Sequence, residues 1–205
     1  MSNNNVVNGG LRLKDAVNGA GAGVEIVLIP SSDSNNMGIG DPVNEVAGDS
    51  ASIGSGPKVN KVVQGTATGA VYGVVESYMP HMSDGTATMN LSQVYRSAST
   101  NMYALIRVGN TQDVYEMTDD AATPGLTSGH LNYNYKFIAQ GCDTSTGLSK
   151  FYIDSANGAT TATYPIQVIA PSDDNYNNNI AYGYARWRVR LNNVIRSGGT
   201  GTAGV

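Results

Sequence analysis

The residues best suited to chemistry in this 205-residue sequence are two histidines and one cysteine. His81 and His130 lie far apart and fit no zinc-ligand spacing, which requires several Cys or His residues close together. Cys142 stands in a polar turn without a neighbouring histidine, so we interpret it as a structural thiol rather than a nucleophile. The sequence therefore predicts no catalytic residue, no metal ion and no cofactor, and a protein that is not an enzyme.

The other candidate stretches are rich in glycine or in acidic residues. The glycines within 19–23 precede a predicted strand, whereas a dinucleotide-binding loop follows a strand and opens a helix. Asp113, Glu116, Asp119 and Asp120 could supply oxygen ligands to calcium, but they lack the regular acidic spacing of a calcium loop. We expect these four carboxylates to lie in solvated turns.

The most prominent exposed feature is a ladder of three arginines. Arg186, Arg188 and Arg190 alternate with apolar residues in the stretch 185–191, so they share one strand face with Tyr184 while the apolar side chains point inward. Guanidinium groups at this spacing repel one another unless carboxylates or phosphates lie opposite. Cross-strand ion pairs within the domain and a contact between subunits are equally good interpretations. Nucleic acid comes third, because the formal net charge is -4.

The composition favours a β protein with many turns. Charged residues make up 14% of the chain, against about 25% in an average soluble domain, while glycine and small polar residues are abundant. A single cysteine excludes an intrachain disulfide and indicates a reducing cytoplasm. The first residues do not resemble a signal peptide, and no apolar run approaches the roughly 20 residues of a membrane helix. We therefore expect neither export by a signal peptide nor membrane association.

Short β-branched and aromatic runs separated by turn residues predict the strands. Neither helical periodicity nor a repeat is present, so we predict an all-β fold, a compact sandwich or barrel of about eight or more short strands. The stretches 102–108 and 114–117 are expected to form a hairpin across the turn 109–113, and residues 48–57 to form an exposed loop. The predicted strands cover 24–29, 39–43, 59–64, 70–78, 102–108, 114–117, 133–139, 150–153, 164–170 and 181–191.

The same composition predicts the domain organisation. Residues 1–23 are polar and rich in glycine, which indicates an extended N-terminal arm. Residues 24–196 hold the predicted strands and form a single β domain, because a chain of this length can bury a sufficient core. Residues 197–205 are rich in glycine and lack the apolar side chains to fold alone, so they indicate a flexible C-terminal tail.

Several patches of the sequence resemble one family of proteins. The longest is Leu91-Ser92-x-x-Tyr95-Arg96-x-Ala98-Ser99-Thr100-x-x-Tyr103-x-Leu105, followed by Val114-Tyr115-Glu116. The other patches are Asn8-Gly9-x-Leu11-Arg12, Gly40-Asp41-Pro42-Val43, Gly73-Val74-Val75, Thr161-Ala162-Thr163-x-Pro165-Ile166 and Ala185-x-Trp187-x-Val189-Arg190-Leu191-Asn192. In this order they resemble a family of small structural proteins found in the virions of tailed bacteriophages.

The resemblance implies a β-rich capsid decoration protein, also called a cement or head-stabilising protein. Such a protein binds the outside of an icosahedral shell and stabilises the phage head without enzymatic activity. Its expected partners are the major capsid protein and neighbouring copies of itself, with a homotrimer as one arrangement, and no direct contact with nucleic acid or membrane. Its expected location is the capsid exterior of the virion, after assembly in the host cytoplasm.

The surfaces expected to contact the capsid and neighbouring subunits lie near the two ends of the chain. Arg96 is expected instead to fix the loop that enters the strand 102–108. The alternative function is a receptor- or glycan-binding module similar to a head fibre, for which the Tyr- and Asn-rich stretch 173–184 would form the site. The predicted contact residues are Leu11, Arg12 and Leu13 in the arm, and Tyr184, Arg186, Arg188 and Arg190 in the last strand.

Overall fold

A computed structural model describes residues 9–16, 23–52, 57–79, 94–120, 125–173, 180, 183–197 and 204. These residues contain twelve strands, three short 3-10 helices and no α-helix, so the predicted all-β class is confirmed. No helix in this part of the chain has the length and apolar character to cross a bilayer. The strands are β1 (Arg12–Asp15), β2 (Val24–Ile29), β3 (Pro42–Ser52), β4 (Lys58–Gln64), β5 (Gly73–Met79), β6 (Met102–Val108), β7 (Val114–Thr118), β8 (Asn134–Tyr135), β9 (Phe137–Ile138), β10 (Tyr152–Ile153), β11 (Ile166–Pro171) and β12 (Arg186–Leu191).

The first half of the fold is a closed five-stranded barrel. Its strands follow the order β2-β4-β3-β5-β6, with β2 and β4 parallel and the other pairs antiparallel. β-branched side chains at alternating positions fill the interior, where Val27, Ile29, Val62 and Ile106 are fully buried. The barrel closes through short pairings, since β2 and β4 meet at Leu28 and Lys61, and β3 and β5 pair over two residues each.

The second half is an antiparallel sheet of five strands, in the order β1-β7-β12-β11-β8, beside the small hairpin of β9 and β10. β12 is the central strand, and its period of two places Trp187, Val189 and Leu191 in the core, as the sequence predicted. Val74 of β5 belongs to the same core. The outer surface of the barrel therefore packs against the inner face of the sheet.

The predicted hairpin between 102–108 and 114–117 is wrong, although both strands exist. β6 pairs with β2 and β5 inside the barrel, whereas β7 pairs with β1 and β12 in the sheet. The turn between them crosses from one layer to the other, and Gly109 N–H donates to Tyr72 O at 2.8 Å there. A Cβ on Gly109 would lie 2.6 Å from a methyl carbon of Val194, so this crossing requires glycine.

The predicted N-terminal arm also requires correction, because residues 9–16 belong to the domain. β1 pairs with β7, and Leu11 is 3% exposed in the core of the sheet. Gly10 N–H donates to Phe151 O at 2.6 Å and Leu11 N–H to Gly40 O at 2.9 Å. These long-range bonds replace the solvation expected for a free arm, and residues 1–8 and 17–22 lie outside the described residues.

Two further predicted boundaries differ from the structure. β3 runs on to Ser52 and pairs with β4 beyond a bulge, so residues 48–52 are strand rather than loop. In the predicted C-terminal tail, Ser197 ends a 3-10 helix and Gly204 N–H donates to Thr160 O at 3.1 Å. The rest of the tail lies outside the described part of the chain.

Arg96 is buried between two loops at one end of the barrel, with 0% exposure. Its guanidinium donates to the carbonyl oxygens of Pro30, Asp33 and Asn35 at 2.6–2.7 Å, and its Nε to Thr100 O at 3.0 Å. The Asp33 carboxylate lies 3.5 Å away. The prediction that Arg96 fixes the loop entering β6 is confirmed.

Substitution of two glycines that share the same positive φ tests how much a steric clash at the turn around Gly147 destabilises the fold. Gly147 and Gly48 both have φ of 72°, but a Cβ on Gly147 would lie 2.2 Å from Val94 O, whereas nothing lies within 4 Å of one on Gly48. Gly48→Ala should cost about 1 kcal/mol for the left-handed conformation, and Gly147→Ala about 2–4 kcal/mol because the clash is added. Equal urea midpoints for the two variants would contradict this difference.

Candidate functional site

The sheet brings the arginine ladder together with the N-terminal strand. Arg12 of β1 and Arg188 of β12 both lie opposite Glu116 of β7, one on each side of it. Residues directly opposite one another in adjacent antiparallel strands share a face, so these three side chains form a row. Together with Lys14, Arg186 and Arg190 they define one surface. We call the surface formed by Arg12, Lys14, Arg186, Arg188 and Arg190 the basic face.

The basic face contains more cations than carboxylates. Glu116 is 5% exposed and lies 3.3 Å from Lys14 Nζ, and it also accepts a hydrogen bond from Ser172. Asp173 pairs with Arg188, and Asp15 lies opposite Val114 at the end of β1. Glu116, Asp173 and Asp15 are thus described carboxylates that lie beside these cations, while the whole chain has a net charge of -4. Internal ion pairs, the first interpretation of the ladder, are present at Arg188, whereas a contact between subunits stays a prediction.

The excess charge is concentrated on exposed side chains. Arg12 and Arg190 are exposed, and neither forms an ion pair with another residue in the described ranges. Partial burial and the neighbouring cation Arg186 lower the pKa of Arg12, and Glu116 acts in the opposite direction. The strands fix the backbone positions from which these cations project, so the charges stay near one another. An external anion placed over this face would therefore relieve repulsion as well as form new ion pairs.

A contact on the inner side of the sheet fixes the strands that carry the basic face. Trp187 Nε1 donates to Asp119 Oδ2 at 3.2 Å, and the N–H of Leu126 donates to the same oxygen at 3.2 Å. Burial raises the pKa of Asp119 to about 7, and these hydrogen bonds act in the opposite direction. Since Asp119 follows β7 and Trp187 lies in β12, the contact fixes the two strands that carry Glu116 and the ladder.

Not every predicted contact residue reaches this surface. Leu11 is buried and Leu13 packs partly buried against the sheet core, so Leu11 cannot act as an exposed contact. Tyr184 precedes β12 and has φ of 64°, and its ring packs edge-on against Tyr152 at 5.9 Å. It therefore lies in a turn rather than in register with the arginines. Most of the stretch 173–184, the predicted glycan site, lies outside the described residues.

A cleft of about 310 Å³ opens next to the basic face, between the barrel and the sheet. Arg12 contributes to both, so the two features are continuous. The sequence pattern does not reveal the cleft, because its walls come from six separate segments and no local signal marks them. The apolar part of its lining consists of Leu11, Leu13, Ile39, Val74, Val75 and Leu148. We call this feature the cleft.

Cys142 and His130 belong to the residue types best suited to catalysis, and the surroundings of both indicate a structural role. Burial raises the pKa of Cys142 to about 11, so its thiol is protonated at neutral pH. His130 Nδ1 accepts a hydrogen bond from the N–H of Thr127 at 3.0 Å in a 3-10 turn. Within the ranges that the structure describes, no cluster of three or more His, Cys, Asp or Glu side chains is arranged to hold a metal. His81 lies outside those ranges.

The expectation of solvated acidic turns is wrong for three of the four carboxylates named from the sequence. Asp113, Glu116 and Asp119 are 4%, 5% and 0% exposed. Glu116 lies in β7 and the two aspartates adjoin the ends of that strand, which lies between β1 and β12 in the sheet.

Comparison of the chain with models of known protein families, with curated protein sequences and with solved structures finds no significant match.

Proposed function

We propose that this protein is a non-enzymatic structural component of a phage virion that binds the outer capsid surface and stabilises the head. The observation that carries the proposal is the basic face, an excess of fixed cations on a protein whose net charge is -4. Such a face suits an acidic protein surface. The sequence resemblance to decoration proteins supports the major capsid protein as the partner.

The mechanism is the addition of many modest contacts. The cations project from two strands, β1 and β12, on either side of β7, so their backbone positions are already fixed when they meet carboxylates on a partner. Each exposed ion pair is weak and screened by salt, but a symmetric shell repeats the contact and raises the effective concentration of neighbouring copies. Contacts between copies, as in a homotrimer, would add to the same effect. The bound protein then resists the outward pressure of packaged DNA.

Cosedimentation with purified heads of the phage that encodes the protein tests this proposal. We expect binding to mature heads, with a copy number close to that of the shell subunits, and weakening as salt is raised. A copy number of only a few would place the protein at a vertex instead. The absence of binding to heads, together with binding in a glycan array, would favour the receptor-binding alternative and overturn the proposal.

Removing two exposed cations should weaken capsid binding without affecting the fold. For the double variant Arg12→Gln and Arg190→Gln we expect an affinity for heads that is lower by roughly tenfold or more, since two interfacial charges are lost. The matched control is Lys58→Gln with Lys61→Gln on β4, which removes the same charge from the barrel. If both double variants bound equally, net charge rather than the basic face would govern binding.

A further inference from the structure

An exposed apolar side chain lines the cleft, and a second one lies near the same turn as the first. Ile39 and Val94, 37% and 42% exposed, are the large apolar side chains that the described part of the chain leaves exposed. Both adjoin one turn: Ile39 N–H donates to Gly147 O at 2.8 Å, and the backbone of Val94 lies directly against Gly147. Exposed apolar residues that cluster beside a concave surface are typical of a binding site rather than of an ordinary solvated surface.

Polar groups stand at the other wall of the cleft. Arg107 Nε lies 2.7 Å from Glu76 Oε1, so this ion pair neutralises the carboxylate that lines the cleft. Tyr115 also lines the cleft, and its buried hydroxyl has no hydrogen-bond partner in the described part of the chain. Burial raises the pKa of Tyr115, so the hydroxyl stays protonated and can donate. A carbonyl or carboxylate oxygen entering the cleft would give it an acceptor.

The charge at the mouth distinguishes between possible occupants. Arg12 lines the cleft and belongs to the basic face, and Glu76 is already paired. An apolar group flanked by carboxylates would therefore fit better than one flanked by cations. The volume of about 310 Å³ is at the small end of ligand cavities, which suits one side chain of a polypeptide rather than an extended ligand.

We propose that the cleft is a socket for one large apolar side chain, carried on an acidic segment of the shell subunit. This inference rests on the proposed function and deepens it, because it names the anchor that the basic face surrounds. The apolar side chain would contact Ile39, Val74 and Leu148, its flanking carboxylates would face Arg12, and an oxygen of the segment would accept from Tyr115. A desolvated anchor surrounded by weaker polar contacts is the usual arrangement of a strong protein interface.

Titration of the isolated protein with short blocked peptides tests the socket directly. Methyl groups of Ile, Leu and Val are labelled, and the probes are acetyl-Asp-Leu-Asp-amide, acetyl-Lys-Leu-Lys-amide and acetyl-Asp-Gly-Asp-amide. We expect the first probe to shift the methyl resonances of Ile39, Val74 and Leu148, and the other two to shift them at least roughly tenfold less at equal concentration. Equal shifts with the lysine peptide, or no shifts at these methyls, would overturn the proposal.

A substitution at the mouth extends the test to whole heads. Ile39→Asp should lower head occupancy roughly tenfold, because the anchor loses apolar contact and its acidic flanks meet a like charge. The control Ala156→Asp adds the same charge at an exposed position in a 3-10 helix. Unchanged fluorescence of Trp187 would show that Ile39→Asp is folded.

The two proposals fail in distinguishable ways. If the protein binds heads but neither the peptide titration nor Ile39→Asp implicates the cleft, the socket is wrong and the decoration function stands. If the acidic peptide occupies the cleft but heads are not bound, the cleft serves another acidic partner and the capsid function is wrong. The socket would also be wrong if the methyl resonances showed that a segment of the chain itself occupies the cleft and that no peptide displaces it.

Discussion

Arg96→Met is expected to lower the free energy of unfolding by about 3–5 kcal/mol, more than any other substitution proposed for this protein. The variant removes a buried cation and leaves the carboxylate of Asp33, 2% exposed, without its charge partner. It also removes the donors that the Arg96 side chain supplies to the carbonyl oxygens of Asn35 and Thr100. Urea unfolding followed by the fluorescence of Trp187 measures the loss.

The matched control for this loss is Arg196→Met. Arg196 also forms an ion pair, with Glu25, and stacks over Tyr72, but 45% of its side chain is exposed. Solvent screens such a pair, so we expect a loss of about 1 kcal/mol. If the two variants were destabilised equally, the bonds of Arg96 to the two loops would contribute no more than a surface ion pair. The role assigned to it would then be wrong.

Asp41→Asn is expected to remove a large part of the pH dependence of stability. Asp41 is fully buried, and its Oδ2 accepts from Gly38 N–H at 2.9 Å and from Gln64 Nε2 at 3.2 Å. Its Oδ1 has no partner in the described residues. Burial raises the pKa of Asp41 from 3.8 to about 7, with the hydrogen bonds acting in the opposite direction. The folded protein therefore prefers the protonated carboxyl group.

The sign of the effect follows from this preference. Below about pH 4 the carboxyl is protonated in the folded and unfolded states, and its stabilising contribution is fully present. Between about pH 4 and pH 7 only the unfolded chain releases the proton, so the free energy of unfolding falls, by about 1.4 kcal/mol per pH unit at most. Above about pH 7 the loss is complete. Asp41→Asn should be more stable than the wild type at pH 8 and similar to it at pH 4.

Asp119 allows an independent test of the same pH dependence of stability. Burial raises the pKa of Asp119 to about 7 as well, so Asp119→Asn should also reduce the fall in stability between pH 4 and pH 7. The matched control is Asp49→Asn, which makes the same substitution at an exposed residue that pairs with Lys61 on the surface. An unchanged profile in both buried variants would show that neither carboxyl takes up a proton on folding.

The local sequence pattern was sufficient to predict features that depend on a single strand or turn. Alternation from Trp187 to Leu191 predicted which side chains of β12 enter the core, and the turn before β6 predicted the structural role of Arg96. Strand pairing was not predictable in the same way. Met102–Val108 and Val114–Thr118 are neighbouring strands in the sequence, yet they belong to different layers of the fold. Nothing local distinguishes a tight hairpin from a crossing, since both use glycine and polar residues in the turn.

The candidate site was predictable only in part, for the same reason. The ladder was visible in a single strand, but its neighbour Arg12 was assigned to a free arm. A stretch with few apolar residues resembles a tail unless its partner strand is known, and here that partner is β7, far along the chain. The cleft could not be foreseen, because Ile39, Val74 and Leu148 meet only through the packing of the barrel on the sheet.

The pairing of β1 with β7 and of β7 with β12 has a consequence for the order of events during synthesis. Arg12 is synthesised before Glu116 and Glu116 before Arg188, so a nascent chain that has not reached Arg188 cannot present all three. Contacts between residues so distant in sequence also form slowly. A copy in which β12 has not yet joined β7 would therefore lack the complete basic face.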